Sequence, residues 1–172
     1  MWFASCKKAI GTKWVYKLKC KPDGSVQRHK ARLVAKGYAQ EKGIDFDETF
    51  APTCCMTTIR SICALAANNG WYVHQLDIKT AFLNGDLHEE VYVMQPHAFV
   101  QKGQENKVCK LKKALYGLKQ APRAWYEKIH AYLIAHGFVN SPSESTLYIK
   151  CVGDVFLIIV LYVDDMLLTN TN

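Results

Sequence analysis

Alternating apolar and polar positions open the chain and predict a β-hairpin. In residues 12–19, Trp14, Tyr16 and Leu18 fall on one face and mainly basic residues fall on the other. This two-residue period is typical of a half-exposed strand. Residues 21–24 (KPDG) have turn chemistry, and residues 26–35 resume the extended pattern. The hairpin is therefore expected to expose faces rich in Lys and Arg.

Helical spacing replaces this alternation in residues 57–69, where Ile59, Ile62, Cys63 and Ala66 repeat at intervals of three or four. Thr57 is the expected cap and Gly70 the expected stop. Strands are then expected over residues 71–77 and 90–94, and the first of them ends on a carboxylate.

The second half of the chain repeats the mixture of helix and strand. Residues 100–106 predict a surface loop, and residues 116–122 predict an irregular segment that ends at a proline suited to a helix start. A helix is expected from there to Gly137, with Trp125, Ile129, Tyr132 and Leu133 on its inner face. Strands are expected over residues 146–151, 155–163 and 166–168. This order predicts an α+β fold, with helices on one side of a mainly antiparallel sheet.

Composition narrows the functional classes. The chain has 172 residues and a formal charge of +7, which permits a polyanionic partner but does not require one. Its longest apolar run, residues 155–163, is far shorter than a membrane-spanning helix, so we expect no membrane partner. Seven cysteines form no CxxC pair, which favours reduced thiols in an intracellular compartment.

Two adjacent carboxylates, Asp164 and Asp165, interrupt one of the most apolar stretches of the chain. A bare pair of this kind is usually an exposed hairpin tip. Here the preceding strand is apolar on both faces, so the carboxylates emerge beside buried surface and require a counter-ion. Asp77 ends another strand, and if the strands are neighbours the three carboxylates converge. Such oxygen ligands suit Mg²⁺ and two-metal phosphoryl transfer, in a nuclease or a polymerase alike.

Six motifs together resemble the reverse transcriptase domain of copia-type long-terminal-repeat retrotransposons, from about Lys13 to the end of the chain. They are KWVYK at 13–17, KARLVAKG at 30–37, TFAP at 49–52, QLDIKTAFLNG at 75–85, LYGLKQAPRAW at 115–125 and YVDDM at 162–166. The resemblance implies a right-hand polymerase, with a basic β-rich fingers hairpin at about 12–37 and a palm at about 57–172, which is incomplete before the thumb.

The same resemblance implies the site residues. Asp77, Asp164 and Asp165 would bind two Mg²⁺ ions, with Mn²⁺ as the alternative metal, and the backbone carbonyl of Ile78 would be a further ligand. For the incoming nucleotide it implies Lys17 and Arg32 as triphosphate clamps, Phe82 as a gate against ribose, and Tyr116 and Gly117 as contacts. Lys119 and Arg123 would reach nucleic-acid phosphate. Ordinary surface charge remains the alternative for each cation, and core packing the alternative for Phe82.

The resemblance also implies partners: an RNA or DNA template with its primer, a deoxynucleoside triphosphate, and the thumb and ribonuclease H of a polyprotein. The expected location is the cytoplasm, in a retroelement particle, with the nucleus as the alternative. Thr53-Cys54-Cys55 stands where Val-Ala-Arg is more usual, and residues 96–99 depart from Pro-Pro-Gly-Phe. A catalytically idle remnant that binds nucleic acid nonspecifically is therefore a second hypothesis.

Overall fold

The computed structural model describes residues 7–171. The chain forms two compact units. The first unit combines residues 7–49 with Asp86–Ala121, and the second combines Phe50–Gly85 with residues 122–171. The elements in chain order are β1 Thr12–Cys20, β2 Val26–Ala35, a 3-10 helix Gly37–Ala39, α1 Met56–Asn69, β3 Val73–Asp77, a 3-10 helix Ala81–Asn84, β4 Tyr92–Met94, β5 Val108–Lys110, α2 Ala121–Ala135, β6 Val139–Asn140, β7 Leu147–Val152, β8 Val155–Tyr162 and β9 Asp165–Asn170.

The first unit contains two small antiparallel sheets, β1 with β2 and β4 with β5. The register of the first sheet pairs Trp14 with Leu33 and Tyr16 with Ala31, so the predicted alternation of faces is confirmed. Its turn closes through hydrogen bonds from the Lys21 N–H to the Ser25 carbonyl and from the Gly24 N–H to the Lys21 carbonyl.

The second unit contains a five-stranded sheet of order β3-β9-β8-β7-β6, in which every neighbouring pair is antiparallel. One face of this sheet packs with α2 around a buried cluster: Ala81, Trp125, Ile129, Leu133, Tyr148, Ile159, Leu161 and Met166. On the other face of β8, Ile158 and Val160 are also buried. Residues Ile158 to Leu161 are therefore covered on both sides, as the unbroken apolar run predicts.

These mixed helices and antiparallel sheets confirm an α+β architecture. Two local predictions are wrong. Thr57 does not cap α1, because Cys55 occupies the N-cap position, and Tyr132 is 57 % exposed and does not line the inner face of α2. Gly70 does end α1, in the left-handed conformation at φ 70°. Within the described residues, no helix combines the length and apolarity needed to span a bilayer.

A distant carboxylate completes the N-terminus of α1. Glu144 accepts hydrogen bonds from the Cys55 N–H at 3.2 Å, the Thr58 hydroxyl at 3.3 Å and the Thr146 hydroxyl at 2.7 Å. Burial raises the pKa of Glu144. The hydrogen bonds to its carboxylate, of which the one from the Thr146 side chain has the largest effect, lower the pKa by more than burial raises it, so the pKa lies below its usual value of 4.5. The contacts make Glu144 a side-chain cap supplied by another segment.

We expect Glu144→Gln to lower the free energy of unfolding by about 1–3 kcal/mol at neutral pH, since hydrogen bonds to a carboxylate are lost. The pKa of Glu144 is lower in the folded protein than in the unfolded chain. Its contribution to the free energy of unfolding is therefore fully present above about pH 4.5 and is lost as the pH falls through the folded pKa. Urea unfolding of both proteins between neutral and acidic pH should therefore give converging stabilities. Glu41→Gln, at an exposed position, is the control and should change stability by less than about 0.5 kcal/mol. A pH-independent gap would contradict the capping role.

Candidate functional site

A strained two-residue turn contains Asp164 and directly precedes Asp165. Tyr162 and Asp165 are paired across β8 and β9, which leaves Val163 and Asp164 as the turn. Val163 has φ 56°, a conformation that β-branched residues rarely adopt. The buried Trp125 indole donates a hydrogen bond to the Val163 carbonyl at 2.7 Å. The core of the second unit therefore holds this turn in place, and backbone strain of this kind is common at functional sites.

Strand β3 brings the third acidic residue to the same end of the sheet. Asp77 is the cross-strand partner of Asp165, and the Ile78 N–H donates to the Asp164 carbonyl at 2.8 Å. The predicted convergence of the two segments is thus found in the backbone, with β9 lying between β3 and β8. Ile78 is half-buried and packs against the core cluster. Its assignment as a carbonyl ligand stays a prediction.

The donor chemistry of this sheet end suits a hard cation, because it offers three carboxylates at exposed or half-buried positions. The side chains do not form a finished cage. Gln75 donates a hydrogen bond to the Asp165 carboxylate at 3.3 Å, and no group of three or more His, Cys, Asp or Glu in residues 7–171 is arranged to hold a metal ion.

Phe82 lies in the short 3-10 helix Ala81–Asn84, after Thr80 at φ 54°. Its ring is half-buried and packs against the core cluster. The ring therefore has a packing role, which is the alternative to the sugar gate, and the gate stays a prediction. Gly85 closes this segment so tightly that a Cβ there would lie 2.7 Å from the backbone carbonyl carbon of Ala124.

Four of the predicted nucleotide-binding residues, Lys17, Arg32, Tyr116 and Gly117, belong to the first unit. The register of β1 and β2 places Lys17 and Arg32 on one face of the hairpin. The Arg32 guanidinium lies over the Tyr116 ring, 5.5 Å from its centroid, in a cation–π arrangement. Three of the residues assigned to the incoming nucleotide, Lys17, Arg32 and Tyr116, therefore lie on neighbouring segments of the first unit.

Gly117 is fixed by close backbone packing. It adopts φ 89°, and a Cβ there would overlap the Ala35 carbonyl oxygen; a Cβ on Gly37 would overlap the Gly117 carbonyl oxygen. The adjacent Ala35 N–H donates to the Tyr116 carbonyl at 2.7 Å. The absence of side chains therefore lets this segment lie directly against the end of β2.

A buried amide network, which the sequence does not predict, reinforces this contact. Gln40 and Gln120 are 4 % and 2 % exposed, and the Gln40 side chain donates to the Gln120 side chain at 2.9 Å. Gln120 donates in turn to the Asp45 carbonyl, and the Lys119 N–H donates to the Gln40 side chain at 2.8 Å. Gln120 lies inside the LYGLKQAPRAW motif, but no spacing in the sequence points to Gln40.

Both cations assigned to nucleic-acid phosphate have intramolecular partners. The Lys119 ammonium donates to the Gln40 carbonyl at 3.3 Å and lies 4.8 Å from the Phe46 ring centroid. Arg123 binds Glu127 at 2.8 Å, one helical turn later. Their contacts with nucleic acid stay predictions.

The six described cysteines are free thiols, and Cys6 lies outside the described residues. Burial raises the pKa of Cys54, and a hydrogen bond with the Thr57 side chain lowers that of Cys55.

One protein family matches almost the whole chain. The family is described as reverse transcriptase (RNA-dependent DNA polymerase), and its profile matches residues 3–172. The chain belongs to this family. No solved structure matches.

The similar proteins are long transposon polyproteins. The chain is 47 % identical over 163 residues to the retrovirus-related Pol polyprotein from transposon RE1 of Arabidopsis thaliana, covering 95 % of the chain and 11 % of the relative. It is 50 % identical over 163 residues to the Pol polyprotein from transposon TNT 1-94 of Nicotiana tabacum, covering 94 % and 12 %. Identity to the Ty1-MR1 Gag-Pol polyprotein of Saccharomyces cerevisiae is 35 % over 167 residues, covering 96 % and 9 %. The chain thus spans about a tenth of the length of these relatives.

The backbone contact at Gly117 gives a sharp stability test. Gly117→Ala should lower the free energy of unfolding by more than about 3 kcal/mol, because it adds both left-handed strain and a steric collision. Gly24 has a similar φ of 85°, but a Cβ added there would meet no atom within 4 Å, so Gly24→Ala should cost only about 1–2 kcal/mol. Urea unfolding of the two variants measures the difference. Equal losses would mean that strain alone, and not close packing, requires glycine at 117.

Proposed function

We propose that the chain supplies the nucleotidyl-transfer site of an RNA- and DNA-templated DNA polymerase, encoded within a retrotransposon polyprotein. The observation that carries the proposal is the pairing of Asp77 with Asp165 beside the Asp164 turn, in a chain that belongs to the reverse transcriptase family. In this proposal residues 57–172 correspond approximately to the palm, and the basic β1–β2 hairpin corresponds to the fingers.

In the proposed reaction a primer 3′ hydroxyl attacks the α-phosphate of a deoxynucleoside triphosphate. A new phosphodiester bond forms and pyrophosphate leaves. Asp77, Asp164 and Asp165 would hold two Mg²⁺ ions, with Mn²⁺ as the alternative. When bound, the metal supplies positive charge that favours the ionised hydroxyl and neutralises phosphate oxygens. Asp165 would release Gln75 in order to take part, since its carboxylate accepts a hydrogen bond from that amide.

The remaining residues would bind and orient the nucleotide. Arg32 would grip phosphate oxygens through its planar guanidinium, and Lys17 would add a point charge on the same face of the hairpin. Stacking against Tyr116 limits the rotation of the Arg32 side chain, which reduces the entropy lost on binding. Tyr116 and Gly117 would lie against the nucleotide and template. These assignments make positioning and electrostatic stabilisation the main catalytic contributions.

A catalytically idle remnant remains the alternative, and one observation favours it. Thr53-Cys54-Cys55 stands where Val-Ala-Arg is more usual, so this segment lacks a positive charge. Such a remnant would keep the basic hairpin and bind nucleic acid through charge alone.

A segment exchange distinguishes the two functions. The chain replaces the matching segment of the tobacco relative's polyprotein, in a background that itself synthesises DNA on a primed RNA template with Mg²⁺. We expect the exchanged protein to synthesise DNA and Asp164→Asn to lower the rate by roughly 100-fold or more, because charge stabilisation in the transition state is lost. Asp154→Asn is the matched control, since Asp154 precedes β8 at its opposite end; it should leave the rate unchanged. A soluble exchanged protein that makes no DNA would support the idle remnant.

Sugar selection tests the role of Phe82 in the same exchanged protein. Phe82→Val should raise ribonucleotide incorporation relative to deoxynucleotide incorporation by about 10-fold or more, because a smaller side chain makes room for the 2′ hydroxyl. Phe138 is another half-buried aromatic residue packed against the same core cluster. Phe138→Val therefore controls for lost packing and should leave sugar selection unchanged. Equal losses with both sugars in Phe82→Val would assign the ring to the core alone.

A further inference from the structure

Gln40 is a buried polar residue that belongs to none of the six motifs. It follows the 3-10 helix Gly37–Ala39 and is 4 % exposed. Its amide nitrogen donates to the Gln120 side-chain oxygen at 2.9 Å, and its amide oxygen accepts from the Lys119 N–H at 2.8 Å. Burying an amide costs free energy unless its polar atoms are paired. Here the nitrogen and the oxygen both pair with one short segment of the chain.

The segment from Tyr116 to Gln120 contains no regular helix or strand, so no ladder of its own hydrogen bonds fixes its position. Its backbone is held at both ends by residues from another part of the first unit. At one end the Ala35 N–H donates to the Tyr116 carbonyl at 2.7 Å, and at the other the Gln40 side chain accepts from the Lys119 N–H. The two hydrogen bonds together fix the orientation of the segment, whereas the first alone would allow it to rotate about Tyr116.

Rotation of this segment would move two of the proposed nucleotide contacts. The Tyr116 ring lies beneath the Arg32 guanidinium, 5.5 Å from its carbon to the ring centroid. Gly117 is exposed, so the segment offers its backbone to a ligand while its inner side packs on the end of β2. A displacement of binding groups by about 1 Å can cost roughly 100-fold in catalysis. The Gln40 side chain therefore acts on these groups through the backbone that carries them.

We propose that Gln40 is a positioning residue for the incoming deoxynucleoside triphosphate. It keeps the segment from Tyr116 to Gln120 docked on the end of β2, so that the Tyr116 ring stays beside Arg32, and it does so without touching the nucleotide. The proposal rests on the proposed function, because it needs the nucleotide site to which Tyr116 and Arg32 would belong. If Gln40 served stability alone, its loss would reduce the amount of folded protein and leave the affinity for nucleotide unchanged.

Steady-state kinetics of the segment-exchanged polymerase test this role. Gln40→Met keeps the length of the side chain and removes both amide hydrogen bonds, while the Asp45 carbonyl still accepts from the Gln120 side chain. We expect the KM for the deoxynucleoside triphosphate to rise by about fivefold to 10-fold and the kcat per active site to change by less than about twofold. The KM for the primed template should stay the same. Active-site titration measures the active fraction, which is the quantity that a purely structural role would lower.

Gln95 provides a matched control within the first unit. Its half-buried amide donates to the Gln104 and Lys107 carbonyls at 2.7 and 2.9 Å and accepts from the Gln101 N–H at 2.9 Å. Gln95→Met therefore also removes the hydrogen bonds by which a glutamine side chain holds an irregular segment. It should lower the midpoint of urea unfolding and leave the KM for nucleotide unchanged, because its segment carries none of the proposed nucleotide contacts.

A double-mutant cycle tests whether Gln40 acts through Tyr116. Tyr116→Ala should by itself raise the KM for nucleotide. Adding Gln40→Met to that variant should raise the KM by less than about twofold more, because the ring that Gln40 positions is already absent. Two effects that multiply in full would show that Gln40 acts by another route and would contradict the proposal.

Three further results would overturn the positioning role. These are an unchanged KM for nucleotide in Gln40→Met, an equal rise of the KM in Gln95→Met, or a Gln40→Met protein that no longer folds, which would assign the side chain to stability alone. Failure of the proposed function is distinguishable from all three, since it would be seen in the exchanged protein before Gln40 is changed. An exchanged protein that makes no DNA refutes the polymerase and the positioning role together, whereas DNA synthesis with an unchanged KM in Gln40→Met refutes the positioning role alone.

Discussion

The hydrogen bond from the Trp125 indole to the Val163 carbonyl supports the whole acidic end of the five-stranded sheet. Val163 holds a left-handed conformation that a valine would leave if nothing constrained it. The indole is buried in the core cluster and needs an acceptor, and the turn needs an anchor, so one contact satisfies both. The position of Asp164, and through it the pairing of Asp165 with β3, follows from this anchor.

Sequence patterns predict the elements that are long enough for a hydrophobic period to repeat within them. Residues 12–19 and 26–35 alternate cleanly, and β1 and β2 lie where the pattern put them. Strands β5 and β6 were missed because three and two residues contain too little period to detect. Tyr132 was misplaced because an aromatic residue at helical spacing can lie at the edge of the buried face.

The candidate site also has some features that the sequence predicts and others that it does not. Carboxylates that interrupt apolar strands are visible in the sequence, so Asp77, Asp164 and Asp165 could be selected as a group. The register that pairs them could not be predicted, since β9 lies between β3 and β8, the two strands from which their convergence is expected. The amide pair Gln40 and Gln120 gave no signal, because two polar residues 80 positions apart acquire a relationship only when the chain folds. Their burial is explained by the backbone segments that they join.

The close approach of Gly37 and Gly117 has a consequence for the history of such a gene. Any missense change in a glycine codon adds a Cβ, and at these two positions a Cβ meets a carbonyl oxygen. Most surface codons tolerate several replacements before the protein is harmed, whereas these two tolerate none without movement of the backbone. In a transposon that copies itself and then decays, the two codons should be among the first to record the loss of selection. Copies that retain both glycines while their surface codons drift would be those that were most recently required to fold.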